Sequence, residues 1–183
     1  MTSSTFPYIS LYALHYQLQT PYLPTPTRVA RCMLQLAEAK PGELVVDLGC
    51  GEGNVLIAAA KYFKCRCVGI EIDPRLAKRA KKRAEEEGVE DLVEIIMGDL
   101  FLYDLSSADI VTLYLLPKTI RLLQYKLAEE LKDTAKVVSH DYPLENTPPA
   151  KVAKIKSYSP IHTHKVFLYY AKDLKRFQRS SPT

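Results

Sequence analysis

No stretch of the 183 residues approaches the roughly 20 consecutive apolar positions of a membrane-spanning helix. The amino terminus lacks both a basic start and a long apolar core, so no secretory signal is expected and a cytoplasmic protein is the default expectation. No internal repeat is present. The four cysteines, Cys32, Cys50, Cys65 and Cys67, form no Cys-x-x-Cys pair, which argues against zinc. Cys65 and Cys67 enter one strand on the same face, too close in sequence for an ordinary disulfide. Neither sign of charge dominates. A net charge of +4 permits nucleic-acid or acidic-protein partners without requiring either.

What is present describes an ordinary globule, with 47% hydrophobic and 25% charged residues. The length suits one buried core better than two. The chain is organised around Leu44–Val45–Val46–Asp47–Leu48–Gly49–Cys50–Gly51–Glu52–Gly53–Asn54. A short β-branched run bounded by glycine reads as a buried parallel strand, and a helical segment follows it. Gly49, Gly51 and Gly53 remove every other Cβ at the strand-to-helix turn, where open α/β sheets bind ligands. The spacing is Gly-x-Gly-x-Gly, and Asn54 stands where a dinucleotide fingerprint wants its third glycine. Asp47, at the strand's end, would repel a pyrophosphate and attract a cation. S-adenosylmethionine, with its ammonium and sulfonium, has that sign.

A second apolar run, Cys67–Val68–Gly69–Ile70–Glu71–Ile72–Asp73, carries an acid 20 residues beyond Gly51, a separation suited to binding ribose hydroxyls. Met97–Gly98–Asp99–Leu100 closes a third run, and 108–114, ending in Tyr114, is a fourth. Together these residues resemble the class I S-adenosylmethionine-dependent methyltransferases over roughly residues 40 to 140. The resemblance implies a doubly wound, mostly parallel seven-stranded α/β sheet with a C-terminal antiparallel hairpin. It also implies S-adenosylmethionine as cofactor and S-adenosylhomocysteine as product. It puts the methionine part on Asp47, Gly49, Gly51 and Gly53, the ribose on Glu71 with Ile72 beside it, and the adenine on Asp99 and Leu100. Tyr22, Thr25, Asn54 and Tyr114 complete the expected cofactor contacts.

Alternation along the chain agrees with that sheet. Strands are expected at 44–48, 66–72, 92–97, 108–114 and 135–139, and helices at 54–63, 75–87 and 118–131. Runs at 152–158 and 164–171 read as the hairpin. Thr25 followed by Pro26 reads as a helix N-cap with proline in the first turn. The basic run from Arg75 to Arg83 reads as a solvated helix face. Residues 1–27 form an aromatic, proline-rich segment expected to pack on or cap the active site. Residues 28–174 are expected to form the single methyltransferase domain, and 175–183 a frayed tail.

Pro21–Tyr22–Leu23–Pro24–Thr25–Pro26, Tyr114–Leu115–Leu116–Pro117 and Ser139–His140–Asp141–Tyr142 resemble the corresponding stretches of compact protein-lysine methyltransferases from archaea and mitochondria. That resemblance implies protein substrates with exposed lysines. A lysine must lose its proton to act as nucleophile, since its free pKa is about 10.4. A narrow aromatic channel disfavours the ammonium. Tyr114, Tyr22 and Tyr142 are the channel candidates, and His140 and Asp141 candidates to accept or relay the proton.

Enzymes that methylate base amino groups usually carry an acid or amide followed by Pro-Pro and an aromatic. Tyr114–Leu115–Leu116–Pro117 departs from this, so nucleic acid is possible but not favoured. A small-molecule methyltransferase and a partner subunit that binds the cofactor without catalysis stay open as well. His162 and His164 alternate as two ligands on one strand face would, but lack recognisable further ligands. No metal is therefore expected, and surface histidines on a hairpin are the expected reading. Oligomeric state is open, with a monomer the simpler expectation.

Overall fold

The computed structural model describes residues 22–156 and 162–180, excepting the side chains of 177–180. The expectation for residues 1–21 lies outside the described residues, as does the part of the expected hairpin at 157–161.

Seven strands form one sheet: β1 (Leu44–Leu48), β2 (Arg66–Glu71), β3 (Val93–Met97), β4 (Ile110–Leu113), β5 (Lys136–His140), β6 (Lys151–Lys156) and β7 (Thr163–Tyr170). Their order is β3-β2-β1-β4-β5-β7-β6. The first five pair in parallel, and β7 runs antiparallel between β5 and β6. The chain starts at β1 in the middle and winds outward twice, so the switch point falls between β1 and β4. That is where a ligand crevice opens beyond the strands' carboxyl ends.

Both faces of the sheet are buried, which is why its parallel strands read as continuous apolar runs. Val45, Ile110 and Val138 point into one core with α1 (Thr27–Leu36), α2 (Asn54–Ala58) and α3 (Pro74–Glu86). Val46, Leu48, Val111 and Leu113 point into the other, against α4 (Pro117–Glu130) and α5 (Ala171–Ser180).

The structure corrects several local expectations. Thr25 does not cap α1: Pro26 is the cap residue, its carbonyl accepting from the amides of Val29 and Ala30, and Thr25 serves the site instead. After Ala58 the helix widens into a π-helical turn, Ala59–Phe63, closed by Lys64 in the left-handed conformation. The tail expected at 175–183 is helical as far as Ser180. Ala171 and Leu174, three residues apart, bury themselves in the second core and anchor the helix. Lys175 adds an ion pair with Asp133 at 2.6 Å. The basic run on α3 is not wholly solvated either. Arg79 pairs with Glu52 at 3.0 Å, and Arg83 donates to the Glu52 carbonyl at 3.0 Å.

Candidate active site

The β1 carboxyl end delivers Asp47 into the crevice, 5% exposed. Parallel register places Asp47 opposite Thr112 of β4 on one side and Gly69 of β2 on the other. Thr112 Oγ1 donates to Asp47 Oδ1 at 2.6 Å. The second carboxylate oxygen meets no side-chain donor among the described residues. Burial pushes the Asp47 pKa up to about 7, with nearby Glu71 adding to the rise and the Thr112 hydrogen bond opposing it. A carboxylate kept so reluctant to ionise is stabilised by any cation that enters beside it.

Glu71, at the end of β2, is 7% exposed. Its Oε2 accepts from the Gly51 amide and its Oε1 from the Asp73 amide, each at 2.8 Å. Those bonds fix the carboxylate and leave acceptor capacity on both oxygens for a vicinal diol. The glycine turn does three separate jobs. Gly49 (φ +76°) lies where a Cβ would come within 2.9 Å of Leu115. A Cβ on Gly51 (φ +55°) would clash with the Tyr22 ring. Gly53 (φ +78°) caps α2 and lets α3 approach, its nearest neighbour being Ala80.

Tyr22 to Thr25 run across this turn. The Tyr22 hydroxyl accepts from the Glu52 amide at 3.4 Å. Asn54 Nδ2 donates to the Thr25 carbonyl at 2.8 Å, while Asn54 Oδ1 accepts from Arg83. Asn54, in the third-glycine position, therefore ties the segment before α1 to the start of α2.

At the ends of β4 and β5, Tyr114 lies over the His140 ring, with centroids 3.9 Å apart and planes tilted by 33°. Burial and the adjacent Asp141 raise the Tyr114 pKa, so its phenol stays protonated. His140 is fully buried, with Nδ1 3.4 Å from Thr25 Oγ1 and Nε2 2.9 Å from His164 Nδ1. Burial lowers its pKa to about 4 against the opposing pull of Asp141, which keeps the ring neutral.

These groups surround an open cleft enclosing about 880 Å³ of space, open solvent at its mouth included. Of the expected site residues, Tyr22, Thr25, Asp47, Gly49, Asn54, Glu71, Ile72, Leu100 and Tyr114 line it. Gly51 and Gly53 shape the turn without lining the cleft. Asp99 does not line it either; its Oδ1 accepts from the Phe101 amide at 2.9 Å and holds the turn that presents Gly98 and Leu100. His140, Asp141 and Tyr142 stand behind or outside the wall. Thr112 escapes the sequence reading, although a lone hydroxyl in an apolar strand was a usable signal. Thr119 and Leu116, which line the cleft from the start of α4, gave no such signal.

The residues fit the expected cofactor on the structure's own terms. A buried, half-satisfied carboxylate calls for a cation. A fixed second carboxylate suits a ribose, and the turn leaves no Cβ in the way. A doubly wound sheet carrying this site at its switch point defines a class I S-adenosylmethionine-dependent methyltransferase. The family model of the ANTKMT methyltransferase domain matches residues 47–151, more than half of the chain, and the protein belongs to that family.

A protein-lysine N-methyltransferase from Saccharolobus islandicus (strain REY15A) is 38% identical over 157 residues, covering 85% of this chain and 96% of that protein. The adenine nucleotide translocase lysine N-methyltransferase of Mus musculus is 33% identical over 74% of this chain, which spans only 59% of that relative. Among solved structures, an RNA methyltransferase from Salinibacter ruber in complex with S-adenosyl-L-homocysteine is 41% identical, with a TM-score of 0.75. The match covers 81% of this chain and 94% of that one. In the described residues no helix is long and apolar enough to cross a membrane.

Proposed function

We propose that this enzyme transfers the methyl group of S-adenosylmethionine to the side-chain amine of lysines exposed on other proteins. The observation that carries the reading is Tyr114, a neutral aromatic wall at the acceptor end of the cleft, held by the His140 ring behind it. The lysine-directed relatives from two organisms support it.

When bound, the cofactor supplies a methyl carbon on a sulfonium that any uncharged amine can attack in line. The chain's own residues position and desolvate. Asp47 holds the ammonium of the methionine part, Glu71 the ribose hydroxyls, and Ile72, Gly98 and Leu100 the adenine, with Asp99 fixing that turn. Gly49, Gly51 and Gly53 shape the turn under the donor, and Asn54 and Thr25 hold the segment that carries Tyr22 across it. Tyr22, Leu115 and Leu116 line the approach with Tyr114, and Tyr142, 36% exposed, belongs to its outer rim. This lining favours the free amine over the ammonium, and the Tyr114 face stabilises the cationic product. The amine's proton leaves to water before attack. His140 and Asp141 act by positioning Tyr114, because neither lines the cleft. A cytoplasmic setting belongs to the same proposal, and four free cysteines support it.

The Salinibacter relative favours a second reading, in which RNA is the acceptor. Incubating the enzyme with methyl-labelled S-adenosylmethionine and either protein extract or RNA separates the two. Label in protein, stable to base and recovered as methyl-lysine, supports the proposal. Label confined to RNA overturns it in favour of the second reading.

A further inference from the structure

Antiparallel pairing of β5 with β7 brings together four side chains from two distant stretches of sequence. His140 ends β5 opposite Val166, and the Asp141 amide donates to the Lys165 carbonyl at 2.7 Å. His164 enters β7 beside them, with His162 two residues earlier. Contrary to the expectation of two surface histidines, the His164 side chain is only 12% exposed.

We propose that His140, Asp141 and His164 form a binding site for one divalent transition-metal ion of the zinc class, behind the acceptor wall. Three of the donors, His140 Nε2, Asp141 Oδ2 and His164 Nδ1, lie within 4.8 Å of one another. His140 Nε2 is 2.9 Å from His164 Nδ1 and 3.4 Å from Asp141 Oδ2, which lies 3.5 Å from His164 Nδ1. His162 Nε2 stands outside this group, 3.2 Å from both His164 Nδ1 and Asp141 Oδ2, where it can hold the Asp141 ligand by hydrogen bonding. A tetrahedral ion with ligands at about 2.0–2.1 Å requires donor separations of about 3.3–3.4 Å, and these distances bracket that value. Two imidazoles and one carboxylate, with a water completing the tetrahedron, are also a donor set that suits zinc and its neighbours.

Hydrogen bonding alone accounts poorly for the cluster. His164 Nδ1 has a single in-plane site, for one proton or one lone pair, yet three donor atoms crowd it at 2.9, 3.2 and 3.5 Å. One proton satisfies one of those contacts; a cation among His140, Asp141 and His164 satisfies two of them and leaves His162 Nε2 to donate to Asp141 Oδ2. The outer contacts also orient the ligands. Thr25 Oγ1 is 3.4 Å from the second nitrogen of His140, and Asp141 Oδ1 accepts from the Lys165 amide at 2.9 Å. Asp141 adopts a left-handed backbone (φ +60°) that turns its carboxylate toward the histidines. The ion staples the ends of β5 and β7 and holds His140 beneath Tyr114. It takes no part in the displacement at carbon.

The test titrates chelator-stripped protein with zinc against a chromophoric chelator, and with cobalt(II), whose visible absorption reports tetrahedral coordination. S-adenosylhomocysteine binding, measured in parallel, shows that each variant is folded and keeps this result separate from the methyltransferase reading. The expected result is one ion per chain, intense cobalt bands, and a melting temperature raised by about 5–10 °C at a hundredfold excess over Kd. His164→Ala and His162→Ala each weaken zinc binding at least ~10-fold, the minimum cost of disturbing even a ligand's hydrogen-bonded partner. His162 is half-exposed, so its variant folds whether or not the other does. Absence of one-to-one competition by the wild type overturns the proposal. So does unchanged affinity in His162→Ala or in a folded His164→Ala.

Discussion

Thr112 and Asp47, 65 positions apart in sequence, share a hydrogen bond of 2.6 Å across the β4–β1 pair, and that bond is the one side-chain contact opposing the burial of Asp47. Ionisation of Asp47 is therefore poised near neutrality, and arrival of a cationic ammonium pulls it to completion. Cofactor binding is expected to release a proton around neutral pH. Below the Asp47 pKa of about 7, affinity for S-adenosylhomocysteine falls up to tenfold per pH unit. Calorimetry in buffers of differing ionisation enthalpy measures both effects.

The same residue costs the empty protein stability. Its folded pKa of about 7 lies above the ordinary 3.8, so the folded state binds the extra proton and stability declines as pH rises between those values. Asp47→Asn abolishes that decline. Its melting temperature is expected to exceed the wild type's by several degrees at pH 8 without ligand, an effect on the order of 2–4 kcal/mol. The difference closes toward pH 4. Thermal scans across that range check the sign.

How far the sequence disclosed this site depends on how local the information is. Alternating apolar runs and the glycine turn specify their own strands and helix, so β1 to β5 and the cleft-lining Asp47 and Glu71 were legible. Pairings between strands were not. Thr112 matters because register sets it beside Asp47, and His164 because β7 returns antiparallel to β5. Thr25 looked like a helix cap, since Thr-Pro is a common start, but a buried contact with His140 claims its hydroxyl. The charged residues after Leu174 hid a helix whose buried anchors, among the described side chains, are Ala171 and Leu174.

Gly51 and Tyr22 make a coupled pair. Gly51→Ala pushes the Tyr22 ring off the turn and holds a left-handed residue against its preference, at about 1 kcal/mol. Tyr22 is 38% exposed, so its ring can swing outward, and the variant is expected to fold and to bind cofactor more weakly. In a Tyr22→Ala background the same substitution has a smaller effect on affinity. A double-mutant cycle on cofactor affinity measures the coupling.

In the proposed mechanism Tyr114 acts through its face rather than its hydroxyl. Tyr114→Phe is expected to keep most of kcat/KM for a protein acceptor. Tyr114→Ala loses on the order of 10- to 30-fold, the worth of a cation held over an aromatic ring in a desolvated site. Steady-state kinetics on both variants, with cofactor affinity measured separately, distinguishes acceptor effects from donor effects.

Asp47 is the proposed recognition point for the donor's charged methionine end, and one calorimetric comparison reaches that point directly. Wild type and Asp47→Asn are titrated with S-adenosylhomocysteine and with 5′-methylthioadenosine, which keeps the nucleoside and lacks the ammonium. The account predicts that the substitution weakens S-adenosylhomocysteine by about tenfold or more while leaving methylthioadenosine nearly unchanged. Equal affinities of both proteins for S-adenosylhomocysteine, or equal losses for the two ligands, would contradict it.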